Sequence, residues 1–266
     1  MPSQPTVSPS TSPPTSSPAS AEKAVAMILA AGRGERMRPL TDHSPKPLLT
    51  VRGKPLMQWP MEGLVRAGFD RVLINTAWLG ERIHDHYGES AQLPGAGLAR
   101  LQYSDEAQDF GYALETAGGI SRALPQLAEV FWVVAGDVFV PEFTFSPQAV
   151  AQFKASGQLA HIWLVPNPPH NPLGDFGVSD QGLALNLPKG HSAQPLYTFS
   201  TIGLYRRALF DAPHCDIVPG NPQGTAAPLA PLLRAAMDRG QVGATLYTGP
   251  WTDVGTPQRL DELNAA

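Results

Sequence analysis

The sequence predicts an α/β protein with helices on both faces of its sheet, and three observations carry that expectation. Apolar runs of strand length, such as "KAVAMILAAG" (23–32) and "VFWVVAGD" (130–137), show no polar–apolar alternation, so both their faces should be covered. Stretches with helical spacing separate these runs, the order expected of parallel strands joined by helices. The first run also ends in a glycine-rich, basic loop, at the carboxyl end of a strand where open α/β sheets bind ligands.

Taken in order, 23–32 is a buried strand and 54–68 a helix with Leu56, Trp59, Leu64 and Val65 near one side, although Pro60 lies inside it. Residues 71–75 form a strand, 79–88 a helix, 98–104 a strand and 115–124 a helix, and 130–137 is a fourth strand. Beyond about residue 140 the pattern loosens. Strands are expected at 159–166 and 197–205, and a hairpin over 177–187 turns around Asp180–Gly182. A helix over 230–240 stops at a glycine, "VGATLYTG" is a last strand, and "TPQRLDELNAA" a last helix. No internal repeat is present.

Residues 1–22 read as a disordered tail. The first 20 residues hold 6 Pro, 7 Ser and 3 Thr and no charge, too little apolar surface to offset the entropy of ordering. The tail lacks the basic start and apolar middle of a secretory signal. Residues 23–266 then form one domain, with 23–140 and 141–266 as its two halves. A formal charge of −4 without a basic stripe argues against nucleic acid as partner. No apolar run is long enough to cross a bilayer. The single cysteine, Cys215, permits no internal disulfide and suits a cytoplasmic protein. A monomer or a homodimer is expected.

The loop after the first strand contains Ala30, Ala31, Gly32, Gly34, Glu35 and Arg36, and Lys46 follows between Pro45 and Pro47. Gly32 and Gly34 allow close backbone approach and turn N–H groups toward an anion. Arg36 adds a planar fork suited to phosphate and Lys46 a compact cation, so the segment is built to hold a polyphosphate. It is neither a dinucleotide fingerprint, which needs glycine where Met37 stands, nor a P-loop, which needs Gly-Lys-Ser/Thr.

"LAAGRGERMRPLT" followed by "SPKPLL", then "ETAGGI", "VAGDVF" and "WTDVGT" in that order, resembles the sugar-1-phosphate nucleotidylyltransferases. The resemblance runs from Ala24 to the C-terminus. It implies a Rossmann-like, GT-A-like, doubly wound mixed sheet in three α/β/α layers, with 23–140 as a nucleotide-binding half and 141–266 as a sugar-phosphate-binding half. It also implies transfer of a nucleoside monophosphate from a nucleoside triphosphate to a sugar 1-phosphate, with release of pyrophosphate. Arg36, Lys46 and Asp137 would be catalytic, and Mg²⁺ would be held by Asp137 and Asp253. Asp137 follows a buried strand, where a carboxylate needs a partner; Asp253 is a candidate through the resemblance alone.

The base would be read by 102–120. There Glu106 is a candidate acceptor or else an exposed loop acid, and Ala117, Gly118 and Gly119 leave room for a flat ring. "AQDFGYA" is longer than the family's common connection. Asp175, in a glycine-flanked turn, is a candidate for sugar hydroxyls or a simple Asx turn. The nearest subgroup is the N-acetylmuramate 1-phosphate uridylyltransferases of cell-wall (peptidoglycan) recycling, similar in "INTAWLG", "SDE", "LETAGGI", "GDFG" and "APLLRAAM". Thr201 stands where that subgroup commonly has glycine. The expected substrates are therefore UTP and N-acetylmuramate 1-phosphate. The alternatives are GTP with mannose 1-phosphate, dTTP with glucose 1-phosphate, and a non-catalytic nucleotide-sugar-binding regulator. The last is disfavoured by the presence of Arg36, Lys46 and Asp137. No covalent step is expected, since Cys215 has no evident base. The histidines at 43, 84, 86, 161, 170, 191 and 214 show no metal-ligand grouping, and His84 and His86 are expected on the solvated surface. Trp163 and Trp251 are expected in the core.

Overall fold

The structure, a computed structural model, is described over residues 23–190 and 194–265. The expected tail at 1–22 and His191 lie outside the described residues.

The chain begins with β1 (Ala24–Ala30), followed by three short 3₁₀ turns between Glu35 and Leu48. Next come β2 (Thr50–Val51), β3 (Lys54–Pro55), α1 (Gln58–Arg66), β4 (Arg71–Thr76), α2 (Gly80–Tyr87), β5 (Ser90–Leu93) and β6 (Gly97–Asp105). Then α3 (Glu106–Phe110), α4 (Glu115–Ala123), β7 (Leu127–Ala135), β8 (Val138–Phe139), α5 (Pro147–Ser156) and β9 (Ala160–Val165) follow. The remainder is β10 (Gly177–Val178), β11 (Ala184–Leu185), β12 (Thr198–Arg206), α6 (Leu229–Met237), β13 (Val242–Leu246), β14 (Thr252–Asp253) and α7 (Pro257–Ala265).

Eight strands make one sheet in the order β13-β9-β12-β7-β1-β4-β6-β5. β1 lies at its middle, parallel to β4 on one side and to β7 on the other. The chain winds outward from β1 through β4 and β6, then returns to β7. That reversal beside β1 is the topological switch point at which such sheets open a crevice. The sheet is mixed. β12 runs antiparallel to both β7 and β9, and β5 is antiparallel to β6.

Both faces are covered, which explains the unbroken apolar runs. Ala26, Ile28 and Ala30 of β1 pack with Met61 and Leu64 of α1, Ile83 of α2 and Phe153 of α5. Met27 faces the other way, toward Ala117 and Ile120 of α4 and Leu233 of α6. Trp132 is fully buried on the first face and meets Trp163 at 5.0 Å and Phe145 at 5.1 Å between ring centroids. Burial of a ring of this size stabilises by about 2–3 kcal/mol. A third, smaller cluster joins Met37, Val51 and Leu56 to Leu260 of α7, clamping the loop after β1 from outside.

Several elements differ from expectation for identifiable reasons. Lys54–Pro55 pairs with β2, so the helix starts only at Gln58. Pro60 is then its third residue, within the first turn, where a missing N–H costs little. The helix α5 has weak amphipathic spacing, but Ser146 caps it by accepting from Ala149 N–H, and Gly157 ends it in a left-handed conformation. The strand expected over 242–249 ends at Leu246 as β13, and the unexpected two-residue β14 follows it.

On β9, His161 Nε2 lies 2.9 Å from Thr245 Oγ1 of β13, and its ring meets Trp163 edge-on at 4.8 Å. Burial holds its pKa below the ordinary 6.5. A base with a depressed folded-state pKa contributes stability above its unfolded value, and that contribution is lost as pH falls through the depressed one. Melting curves recorded downward from roughly pH 7 are expected to show this loss, and His161→Gln should flatten the slope.

Candidate active site

The loop after β1 is closed by its own side chains. Gly34 adopts a left-handed conformation, φ 66°, and the 3₁₀ residues Glu35–Met37 follow it. Such a left-to-right-handed alternation turns successive N–H groups to one side. A Cβ on Gly34 would lie 3.1 Å from Lys46 Cβ and from Thr41 Cγ2, so the glycine is needed for space as well as for φ. Thr41 Oγ1 donates to Gly34 O at 2.8 Å, and Met37 is fully buried beneath the loop. By contrast, nothing crowds Gly32, and Ala31 is buried beside it. The guanidinium of Arg33 stacks 3.5 Å over Trp78 and is therefore already engaged, whereas Arg36 and Glu35 are exposed.

Across the switch point, β7 ends at Ala135, and Gly136 N–H donates to Leu29 O of β1 at 2.8 Å. A Cβ on Gly136 would come within 3.0 Å of that oxygen, so the close approach depends on glycine. This contact brings Asp137 beside the loop, where its Oδ2 pairs with Lys46 Nζ. The Lys46 residue is 9% exposed, so its charge needs the partner. β8 and β14 then run antiparallel with Asp253 opposite Val138, and Val254 N–H donates to Asp137 O at 2.9 Å. Asp253 Oδ1 is held by Arg259 Nη1 at 2.6 Å and His170 Nε2 at 2.8 Å. Arg36 reaches the same place: a Cβ on Gly255 would lie 3.3 Å from Arg36 Nη2 and 2.8 Å from Arg259 Nη2.

Arg36, Lys46, Asp137 and Asp253 thus form one cluster, and Arg259 and His170 belong to it too. Two carboxylates, Asp137 in the turn before β8 and Asp253 on the paired β14, both partly exposed, offer the hard oxygen donors that suit Mg²⁺, which asks a protein for only one or two. Their residues fit such an ion, which would compete with the cationic side chains that neutralise them here.

Beside the cluster lies a cleft of about 470 Å³ lined by Leu29, Glu115, Asp175, Phe199, Thr201 and Arg234. Asp175 sits on its wall, and its carboxylate accepts from Lys189 Nζ at 2.8 Å and from Asn171 Nδ2 and Phe199 N–H at 3.0 Å each. A carboxylate has about four acceptor positions, so one remains for a ligand.

Within the segment expected to read a base, Glu106 has a structural role. Glu106 is fully buried, neither an exposed acid nor a free acceptor. Its Oε1 accepts from Asn75 Nδ2 at 2.7 Å and its Oε2 from Leu114 N–H at 2.7 Å, while Asn75 Oδ1 accepts from Ala30 N–H at 3.0 Å. Burial raises its pKa, against these bonds and Arg122. This relay ties the end of β1 to the start of α4. Gly118 approaches the chain's own backbone, since its Cβ would meet Thr225 O at 2.4 Å. At Gly119 a Cβ would meet Glu106 Oε1 at 2.5 Å. The small residues make room for protein. Gly118→Ala is expected to lower stability by about 2–3 kcal/mol through this overpacking, read as a fall in melting temperature.

A family model described as nucleotidyl transferase matches residues 25–266. The chain belongs to the nucleotidyl transferase family. This nucleotidyltransferase is 46% identical over 243 residues to the N-acetylmuramate alpha-1-phosphate uridylyltransferase of Neisseria meningitidis serogroup B, covering 90% of this chain and 96% of that one. The enzyme of the same description from Caulobacter vibrioides is 30% identical, over 88% of this chain and 93% of its own. Among solved structures, a Bacillus anthracis protein crystallised in complex with a sucrose superposes with a TM-score of 0.70 at 21% identity, covering 90% of this chain and 93% of that one. HddC from Yersinia pseudotuberculosis gives 0.65 at 16%, covering 90% and 97%. These two likenesses concern the fold.

Other side chains of the nucleotidyltransferase lie elsewhere. His84 is half-buried rather than solvated: its Nε2 is 2.9 Å from Asp105 Oδ1 and its ring stacks on Tyr103 at 3.7 Å. His86 is exposed and Cys215 half-buried. Trp163 is buried; Trp251 is half-buried, with Nε1 donating to Ser200 O at 3.1 Å. Among the described residues, no helix is long and apolar enough to cross a membrane.

Proposed function

We propose that the enzyme transfers a uridylyl group from UTP to N-acetylmuramate 1-phosphate, with Mg²⁺, releasing pyrophosphate in the cytoplasm as a step of peptidoglycan recycling. The observation that carries the reaction type is the convergence of Lys46 and Asp137 at the switch point beside the glycine loop. The 46% identity to a uridylyltransferase of that description supports the choice of substrates.

In this reading the triphosphate lies against the N–H groups of Ala31–Arg36, with Arg36 over its outer phosphates. Lys46 faces the α-phosphate. An oxygen of the sugar phosphate forms a bond to the α-phosphorus as the bond from that phosphorus to the α–β bridging oxygen breaks, and pyrophosphate leaves with the electron pair. The nucleophile is already an anion, so no base is required. Cationic groups fixed beforehand stabilise the charge that builds on the α-phosphate. Held by Asp137 and Asp253, Mg²⁺ would neutralise further negative charge. Arg259 and His170 keep Asp253 in place, and Asp175 accepts from a sugar hydroxyl.

The test is pyrophosphate release with each of UTP, GTP and dTTP against N-acetylmuramate, mannose and glucose 1-phosphates. Release with UTP and N-acetylmuramate 1-phosphate is expected, and chelation of divalent ions should abolish it. Preference for GTP with mannose 1-phosphate, or dTTP with glucose 1-phosphate, would overturn the substrate choice. Undiminished release after chelation would overturn the metal.

A further inference from the structure

Among the described residues, five that are not glycine have positive φ: Arg52, Leu79, Glu115, Thr201 and Asn221. Two of the five, Glu115 and Thr201, line the cleft beside the catalytic cluster. Thr201 has the largest φ of the set, 62°, and is its only β-branched member. The left-handed region is most costly for such a side chain, whereas glycine would adopt it freely.

The backbone there is held from several sides. The register of β12 against β9 shifts between Phe199 and Gly203, and Thr201 sits at that irregularity. Ser200 is fully buried; its hydroxyl donates to Trp163 O at 2.6 Å and accepts from Ile202 N–H at 3.2 Å. Ser200 O accepts from Trp251 Nε1 at 3.1 Å. Strained residues persist where their surroundings over-determine them, and they gather at ligand sites. The strand would keep this bend with glycine at 201, so the threonine adds only its side chain. That side chain lines the cleft with Asp175 and Arg234. Its Oγ1 donates to Ser200 O at 2.5 Å, so toward the cleft the oxygen is offered as an acceptor.

We propose that Thr201 is a specificity-determining residue, retained in a strained conformation because its hydroxyl oxygen accepts an O–H or N–H hydrogen from the sugar of the sugar 1-phosphate. This rests on the reaction proposed above. Asp175 and Thr201 then grip the sugar from neighbouring positions of one wall.

Three variants of the full chain test it by melting temperature and steady-state kinetics. Thr201→Gly should melt about 2–4 °C higher as strain is released, yet its KM for the sugar 1-phosphate should rise about tenfold with that for the nucleotide unchanged. Thr201→Ala should show the same KM rise without the gain in melting temperature. Thr201→Ser, which keeps the hydroxyl, should stay within about threefold of wild type. An active wild type whose glycine and alanine variants keep the sugar KM, or raise only the nucleotide KM, would overturn the assignment and leave the reaction standing. A lower melting temperature for Thr201→Gly would overturn the strain. A wild type inactive with every sugar 1-phosphate would overturn the reaction and this inference with it.

Discussion

Asp137→Asn lowers turnover by at least about 10³-fold while the protein stays folded. Asparagine keeps the size of the side chain and leaves the Asp137 carbonyl free to accept from Val254 N–H, the bond that aligns β8 with β14. What disappears is one negative charge facing Lys46. The Lys46 side chain is only 11% exposed, so it loses a needed charge partner, but an amide oxygen at 137 can still accept from its Nζ and the aspartate side of the pair, 35% exposed, stays open to water. The stability loss should therefore stay within about 1–2 kcal/mol. Catalysis suffers more, because the carboxylate both sets the Lys46 ammonium and serves as a ligand of the proposed Mg²⁺. Pyrophosphate release and a melting curve on the same preparation check both halves. Near-normal turnover would remove Asp137 from the chemistry; an unfolded variant would show that the pair is mainly structural.

Glu106→Ala produces the largest expected loss of stability, about 3–5 kcal/mol, or a melting temperature lower by roughly 10 °C. The substitution strands two buried donors, Asn75 Nδ2 and Leu114 N–H, and leaves a cavity where the carboxylate stood. Glu106→Gln does not fully rescue. The Asn75 amide is oriented by its bond from Ala30 N–H, so an amide nitrogen at 106 faces either a second N–H donor at Asn75 or one at Leu114. The pH dependence separates charge from shape. Burial raises the Glu106 pKa above its ordinary 4.5, so its contribution is present below that value and is lost as pH rises through the raised one. Glutamine has no such dependence, so the advantage of wild type over Glu106→Gln should be greatest in acid and shrink toward neutrality. A gap that widens with rising pH would contradict this sign.

Much of the architecture is legible in the sequence because the central strands are covered on both faces. β1 and β7 are unbroken apolar runs for that reason, and the turn chemistry of Asp180–Gly182 gives the β10–β11 pair. The antiparallel insertion of β12 between β7 and β9 is not visible locally, since strand direction follows from the long excursion between 140 and 197 rather than from the strand's own residues. In the site, Lys46 and Asp137 stand out because a charge in or beside a buried segment is costly without a partner, and the glycines and Arg36 because together they suit a phosphate. Glu106 misleads, since the partners that allow its burial lie 31 and 8 residues away. At Gly118 and Gly119 the space a Cβ would take is filled by the 225–227 backbone and by Glu106, contacts distant in sequence. Arg259 and His170 carry no local signal; only the spacing of Arg259 six residues after Asp253 hints at an interaction. The strain at Thr201 is a backbone property, and composition does not show it.

The central claim is that the cradle formed by the loop after β1 and Lys46, opposite Asp137, grips a nucleoside triphosphate at the switch point of the sheet. A crystal structure of the protein with a non-hydrolysable UTP analogue tests this most directly. The account predicts phosphate oxygens within hydrogen-bonding distance of Lys46 Nζ and of backbone N–H groups between Ala31 and Arg36. Phosphates bound away from this loop, with Lys46 turned out of the cleft, would contradict it.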